Sequence, residues 1–250
     1  MGHCPVFSIG SPTPPTNKAE VELIVSKNEV SIDVKNFLDQ VLKKHRANSV
    51  VFISFGTVWW SAEPEKIWTI LDVLIERGIP FLFSHASPIG VIPDEVSARI
   101  EASGLGYTAK WLPQQMILQH EACGWFMLHC GHNSVMESLT AGVPLICWPY
   151  DADQPMNAAN IAFVHKAGYE LFEVRNGQGL RPVHRLGDKA PEGTLDAVRR
   201  EVTEVLTKAQ SEDGQKRRAK AQWFSREFSR SWELGGLAWV ELGRLLEVLA

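Results

Sequence analysis

The densest run of chemistry-bearing residues is His129-Cys130-Gly131-His132-Asn133-Ser134, which follows an apolar run and leads into a helical pattern. A helix N-terminus presents free N–H groups and a partial positive charge, so it holds phosphate well. Gly131 lets the backbone approach a ligand closely, and His129, Asn133 and Ser134 add donors. Glu137 lies one helical turn beyond Asn133 on the same face. Its carboxylate repels a phosphate but suits a pair of ribose hydroxyls, each donating to one oxygen. The loop and helix therefore read as binding a ribose and a phosphate together. The plainer alternative is a helix capped by Asn133 or Ser134, with Glu137 solvated. A zinc site from Cys123, His129, Cys130 and His132 is a further alternative. Their spacing matches no standard zinc pattern, and adjacent residues at a strand end point opposite ways, so no metal is expected.

Two other positions extend this site. Trp111 precedes Leu112-Pro113 and offers a flat face to a base, although large aromatics are often simply core. Asp153-Gln154 can grip sugar hydroxyls or cap the helix that follows.

These residues need a scaffold, and the apolar patterning supplies one. Ser31–Lys44 has helical spacing, and Val50–Phe55 is a short apolar run that stops at Gly56. From there strands and helices alternate. Strands are expected at Phe81–Phe83, Tyr107–Trp111, Trp125–His129, Pro144–Trp148 and Glu170–Val174. Helices are expected over 64–77, 94–102, 114–120, 134–141 and 154–167, with Pro64 in the first turn of one and Gly78 just past its end. Residues 175–193 read as a surface loop, and the chain from Thr194 as two or three helices. The fold class is therefore α/β, a Rossmann-like doubly wound parallel sheet of about six strands. In such a sheet, ligands bind outside the carboxyl ends of the strands. That rule selects the loops carrying Thr57, Ser84, Trp111, His129–Ser134 and Asp153-Gln154.

Composition bounds the rest. The 250 residues are 45% hydrophobic and 22% charged, with a formal net charge of −4. A mildly acidic chain is not built for non-specific binding to nucleic acid or an anionic membrane. Four cysteines without a CxxC pair do not form a disulfide framework. With no signal-like start and no apolar stretch near the length of a membrane span, a cytoplasmic protein is expected. Residues 1–30 hold a proline- and serine-rich run and read as a linker, and 31–250 as one domain.

The signals between 111 and 154 fall at the spacing of a known motif. Trp111, Pro113, Gln114, His120, His129, Cys130, Gly131, Asn133, Ser134, Glu137, Ser138, Gly142, Val143, Pro144, Pro149, Asp153 and Gln154 reproduce W-x-P-Q…H…H-C-G-x-N-S-x-x-E-S…G-V-P…P-x-x-x-D-Q without insertion or loss. This resembles the signature box of the family 1 glycosyltransferases, which use UDP-sugars. Ser54-Phe55-Gly56-Thr57, Val6–Gly10 and Glu233–Gly236 also resemble segments of that family, so the likeness covers nearly the whole chain but only half of the family's architecture.

The resemblance implies the C-terminal half of a GT-B fold. It implies that Trp111 stacks on uracil, with Leu112 and Gln114 completing the contacts to base and ribose. Glu137 holds the ribose hydroxyls. His129, Asn133, Ser134 and Thr57 bind the diphosphate, with Gly131 between them, and Ser84 touches the nucleotide. Asp153 and Gln154 read the transferred sugar, and the glutamine points to UDP-glucose. Plant members usually carry Trp after His-Cys-Gly. This chain has His132, beside the sugar, which leaves the sugar's identity open.

The family's acceptor-binding domain carries the catalytic base, a histidine oriented by an aspartate. No residue here matches either, and His3 sits in the linker. The expectation is a donor-binding domain, inactive without an N-terminal acceptor domain or a partner subunit. A split two-chain enzyme and a non-catalytic UDP-sugar-binding module are the alternatives. The face left by the acceptor half, about Trp232–Leu249, should be apolar and prone to self-association.

Overall fold

The computed structural model describes Val6, Phe7, Ile9 and residues 28–249; most of the expected linker, with His3 and Cys4, lies outside the described residues. Six strands are present: β1 (Val50–Ser54), β2 (Phe81–Ser84), β3 (Gly106–Ala109), β4 (Cys123–Leu128), β5 (Leu145–Cys147) and β6 (Gly168–Glu170). All their pairings are parallel, and the order is β3-β2-β1-β4-β5-β6. The expected doubly wound sheet is what forms.

Each strand is too short to bury its apolar side chains alone, and every residue of β1, β2 and β4 is buried. Successive side chains point to opposite faces, so β1 feeds two cores. Val51 and Ile53 pack with helices α2 (Glu65–Glu76), α3 (Asp94–Ser103) and α7 (Leu195–Ala209). Val50 and Phe52 pack with α1 (Glu29–Lys44), α4 (Gln114–Gln119), α5 (His132–Thr140), α6 (Gln154–Ala159) and α8 (Glu212–Ser231). A last helix, α9 (Leu237–Leu249), packs on α8. No helix among the described residues is long and apolar enough to cross a membrane.

Register aligns the strand ends. Ala109, Ser84, Ser54, Leu128, Cys147 and Glu170 pair in one row across the sheet. The loops that follow these residues therefore leave from a single edge.

Several boundaries differ by a few residues from the sequence expectation, and three of the differences have a visible cause. Helix α1 starts at Glu29 because the Asn28 side chain accepts from Val30 N at 3.0 Å. The helix expected over 154–167 widens into a π turn at Asn160–Val164, where His165 N bonds Asn160 O at 2.8 Å. Strand β6 begins at Gly168, not Glu170. A Cβ at Gly168 would sit 2.4 Å from the Leu145 carbonyl oxygen, so the approach of β6 to β5 needs glycine. The strand stops early because the Glu201 carboxylate accepts from Phe172 N at 2.7 Å and Glu173 N at 2.9 Å, turning the chain.

Burial pushes the Glu201 carboxyl up to about 7, against the pull of those two N–H groups. The native state thus keeps this proton at a pH where the unfolded chain, in the ordinary glutamate range, has released it. Stability contributed by Glu201 is full at low pH and is lost as pH climbs through the interval up to about 7. Between roughly pH 5 and 7.5 the parent should lose about 2 kcal/mol relative to a Glu201→Gln variant. Urea titrations of both proteins across that interval check this, and parallel stability curves would refute it.

Candidate functional site

The carboxyl edge of the sheet holds a cleft of about 870 Å³. It opens where the chain order reverses: β1 and β4 are neighbours, but the chain leaves β1 towards β2 and β4 towards β5. A crevice at such a point is where doubly wound sheets bind ligands. Thr57, Ser84, Trp111, Leu112, Gln114, His129, Gly131, His132, Asn133, Ser134, Asp153 and Gln154 all line the cleft. Glu137 stands just behind the lining, held by two amides.

One end of the cleft is built for anions. Cys130 adopts a left-handed backbone, φ 66°, which swings the chain off β4. Gly131 is the N-cap of α5, and no side chain caps the helix. Asn133 and Ser134 lie inside its first turn, so neither acts as the cap. The first N–H groups of an α-helix have no partner within the helix, and this end lines the cleft.

His129 is wedged between two glycines. A Cβ on Gly131 would meet its Nε2 at 2.5 Å, and one on Gly56 would meet its Cε1 at 3.0 Å. Gly56 is also left-handed, with φ 77°. The His129 Nδ1 is buried, and no group among the described residues meets it with good hydrogen-bond geometry. Burial holds the imidazole below its ordinary pKa, against the opposing pull of Asp153 and the Ser54 backbone. A neutral ring offers one N–H and one lone pair.

At the rim, Trp111 lies beyond the end of β3 rather than within it and is 50% exposed. A core tryptophan is therefore not what the fold makes of it. Leu112 is buried beneath. Gln114 Nε2 donates to Ser134 Oγ at 3.3 Å and to Glu137 Oε2, and Gln115 Nε2 donates to Glu137 Oε1 at 3.4 Å. The first turn of α4 is thereby joined to the first two turns of α5, at Ser134 and Glu137. The buried Ser84 hydroxyl donates to Lys110 O at 3.4 Å.

The opposite end is shaped by the loop after β5. Gln154 Oε1 accepts from Tyr150 N and Asp151 N, both at 3.0 Å. Fixing that oxygen assigns Nε2 as the outward donor. Asp153 occupies the N-cap position of α6 but makes no capping bond. Its Oδ2 instead accepts from Asn157 Nδ2 at 2.7 Å, and the same amide donates to Cys130 O at 3.0 Å. One asparagine therefore couples the loops after β4 and β5.

Sequence reasoning missed the aromatic wall. Trp59, Trp60 and Tyr150 line the cleft. Trp59 lies 4.4 Å from Tyr150, centroid to centroid, and meets Phe55 edge-on at 5.0 Å. The signal available was the Trp59-Trp60 pair right after Gly56-Thr57 in a strand-end loop. Cys123, Cys130 and Cys147 are buried free thiols, and burial pushes the Cys123 thiol up to about 12. No three His, Cys, Asp or Glu side chains among the described residues are placed to hold a metal ion.

Comparison with known proteins gives a consistent picture. The family model described as UDP-glucoronosyl and UDP-glucosyl transferase matches residues 24–176. The chain is 38% identical over 216 residues to the UDP-glycosyltransferase eriJ of Hericium erinaceus, a match covering 85% of this chain and 42% of that protein. It is 31% identical over 195 residues to UDP-glycosyltransferase 84A1 of Arabidopsis thaliana, covering 74% of this chain and 39% of that protein. Among solved structures it is similar to Phytolacca americana UGT2 in complex with UDP-2fluoro-glucose and pterostilbene. That match has a TM-score of 0.65 and 27% identity, over 85% of this chain and 44% of the other. The chain thus spans less than half the length of these relatives.

Proposed function

Because this chain belongs to the UDP-glucuronosyl and UDP-glucosyl transferase family, we propose that its cleft binds a UDP-sugar, with UDP-glucose as the donor. In this reading the domain serves a transferase that passes the sugar, with inversion, to a hydroxyl of a small-molecule acceptor. The observation that carries the reading is the uncapped N-terminus of α5, which opens on the cleft between Trp111 at one end and Gln154 at the other.

Trp111 stacks on the uracil, with the Leu112 backbone and Gln114 alongside. Glu137 takes the ribose hydroxyls with the lone pairs that Gln114 and Gln115 leave free. The diphosphate lies on the first turn of α5, met by Asn133, Ser134, His129 and Thr57, with Ser84 nearby. Asp153, Gln154 and His132 face the sugar. Negative charge grows on the departing diphosphate during transfer, and fixed donors there stabilise it. The helix end and these side chains supply that stabilisation in place of a metal ion.

The acceptor base comes from an N-terminal domain or a partner subunit. Exposed apolar side chains at this end of the chain support a covering half: Leu234 before α9, and Leu237, Trp239, Val240, Leu246 and Val248 on it. Copies of the isolated chain would self-associate through the same residues. A cytosolic setting suits the free thiols of Cys130 and Cys147, which face each other.

Calorimetric titration with UDP, UDP-glucose and UDP-galactose tests the reading. UDP should bind, with UDP-glucose preferred over UDP-galactose, and absence of binding by all three would overturn it. Trp111→Ala should weaken UDP by about tenfold to a hundredfold, since base stacking is worth ~1–3 kcal/mol. The melting temperature should hardly move, because half of this ring is already in solvent. Unchanged UDP affinity in that variant would remove the stacking role.

A further inference from the structure

The amino edge of the sheet, opposite the cleft, holds a second cavity of about 470 Å³. Its walls are the turns leading into β1 and β2, Trp125 of β4, and the junction of α7 with α8. It shares no lining residue with the donor cleft.

Arg46, Arg77, Arg218 and His45 line this cavity, and no aspartate or glutamate among the described residues does. None of the three arginines forms a salt bridge among the described residues, whereas nearby Arg99 holds Asp72 at 3.1 Å and Arg199 holds Glu76 at 2.6 Å. Glu76, next to Arg77 in sequence, is therefore already engaged. Arg218 is the most informative of the three. Its Nη2 donates to Gly124 O at 2.7 Å, and its guanidinium stands 5.6 Å from the Trp125 ring centroid. Burial pushes its pKa down; the neighbouring Cys123 thiol opposes that, and no carboxylate does. A cation withdrawn from water without an anion is costly, and an anion beside it offsets the cost. The Ser49 hydroxyl in the same wall is buried and has no hydrogen-bond partner among the described residues. Ile79, Pro80, Leu206 and Trp125 add apolar surface.

We propose that this cavity binds a small phosphorylated molecule, its phosphate held by Arg46, Arg77 and Arg218 and its organic part against Trp125 and the apolar wall. A planar carboxylate is satisfied by one guanidinium fork, whereas a tetrahedral dianion uses donors converging from several directions. Here three arginines come from three separate chain segments. The cavity falls within the ~300–1,000 Å³ of small-ligand sites, leaving room for more than the phosphate itself.

The test is calorimetry on the whole chain, with UDP saturating the donor cleft and sodium chloride fixing the ionic strength. The probes are inorganic phosphate, phenyl phosphate and benzoate. Phenyl phosphate should bind about tenfold more tightly than inorganic phosphate, and benzoate more weakly than either. The double variant Arg46→Gln/Arg77→Gln changes two exposed side chains, so it should keep its melting temperature. It should lose at least about tenfold in phenyl phosphate affinity. No heat with either phosphate, equal affinity in parent and variant, or benzoate matching phenyl phosphate would each overturn the proposal. If UDP fails to bind, the donor-site reading falls. Phosphate binding that is lost in the arginine variant would still come from this cavity.

Discussion

Replacing Gly131 with alanine should lower UDP affinity by about a hundredfold, read by calorimetric titration, while the domain keeps its fold. The new methyl would lie 2.5 Å from His129 Nε2. The ring is buried, with Gly56 on its other side, so it must shift within a packed site to admit the methyl. Overpacking of this kind costs about 1–3 kcal/mol when neighbours must shift. Here the shifting neighbour is itself a proposed phosphate donor, and the methyl also stands at the helix end where the diphosphate would rest. The damage is therefore concentrated in binding. An alanine variant that binds UDP as tightly as the parent would show that the diphosphate does not sit on the first turn of α5.

The second large effect is on stability. Glu170 ends β6 with its side chain 0% exposed, and its carboxylate takes Arg175 Nη2 at 2.8 Å and Arg185 Nε at 3.2 Å. Both guanidiniums also lie over the Phe172 ring, at 4.9 and 5.3 Å. Glu170→Ala would leave two partly buried cations without their anion. Removing one partner of a buried ion pair costs about 3–5 kcal/mol. A fall in melting temperature of about 10 °C is expected, since 1 kcal/mol is worth ~2–4 °C in a domain of this size. Proteolysis within 175–193 should quicken as well, because these two arginines tie that segment to the sheet. A melting temperature within about 2 °C of the parent would mean the pairs are worth no more than surface ones.

That segment shows the limit of reading from sequence. Residues 175–193 lack periodicity and were expected to be a surface loop. The structure gives them short 3-10 turns at Gly177–Leu180 and His184–Leu186, and anchors them on Glu170 and on the buried Lys66, whose Nζ donates to Arg175 O at 2.7 Å. An anchor far away in sequence leaves no trace in local patterning. The early end of β6 has the same origin: Leu171, Phe172 and Val174 are buried and apolar, as in a strand, but the carboxylate that turns the chain belongs to α7.

Most of the candidate site was legible because its chemistry is local. His129 to Glu137 is one strand end, one turn and one helix face, and the spacing alone puts donors at a helix N-terminus. Alternation of short apolar runs with helical patterns was enough for a parallel sheet, and a parallel sheet puts its loops at the carboxyl edge. What local pattern cannot give is which strands become neighbours, because several strand orders satisfy the same periodicity. Strand order brings Trp59 against Tyr150, wedges His129 against Gly56, and gathers Arg46, Arg77 and Arg218 at the opposite edge. Spacing along the chain places the candidate donors on one helix and one edge; what stands across the cleft from them follows from strand order, because such contacts depend on long-range packing.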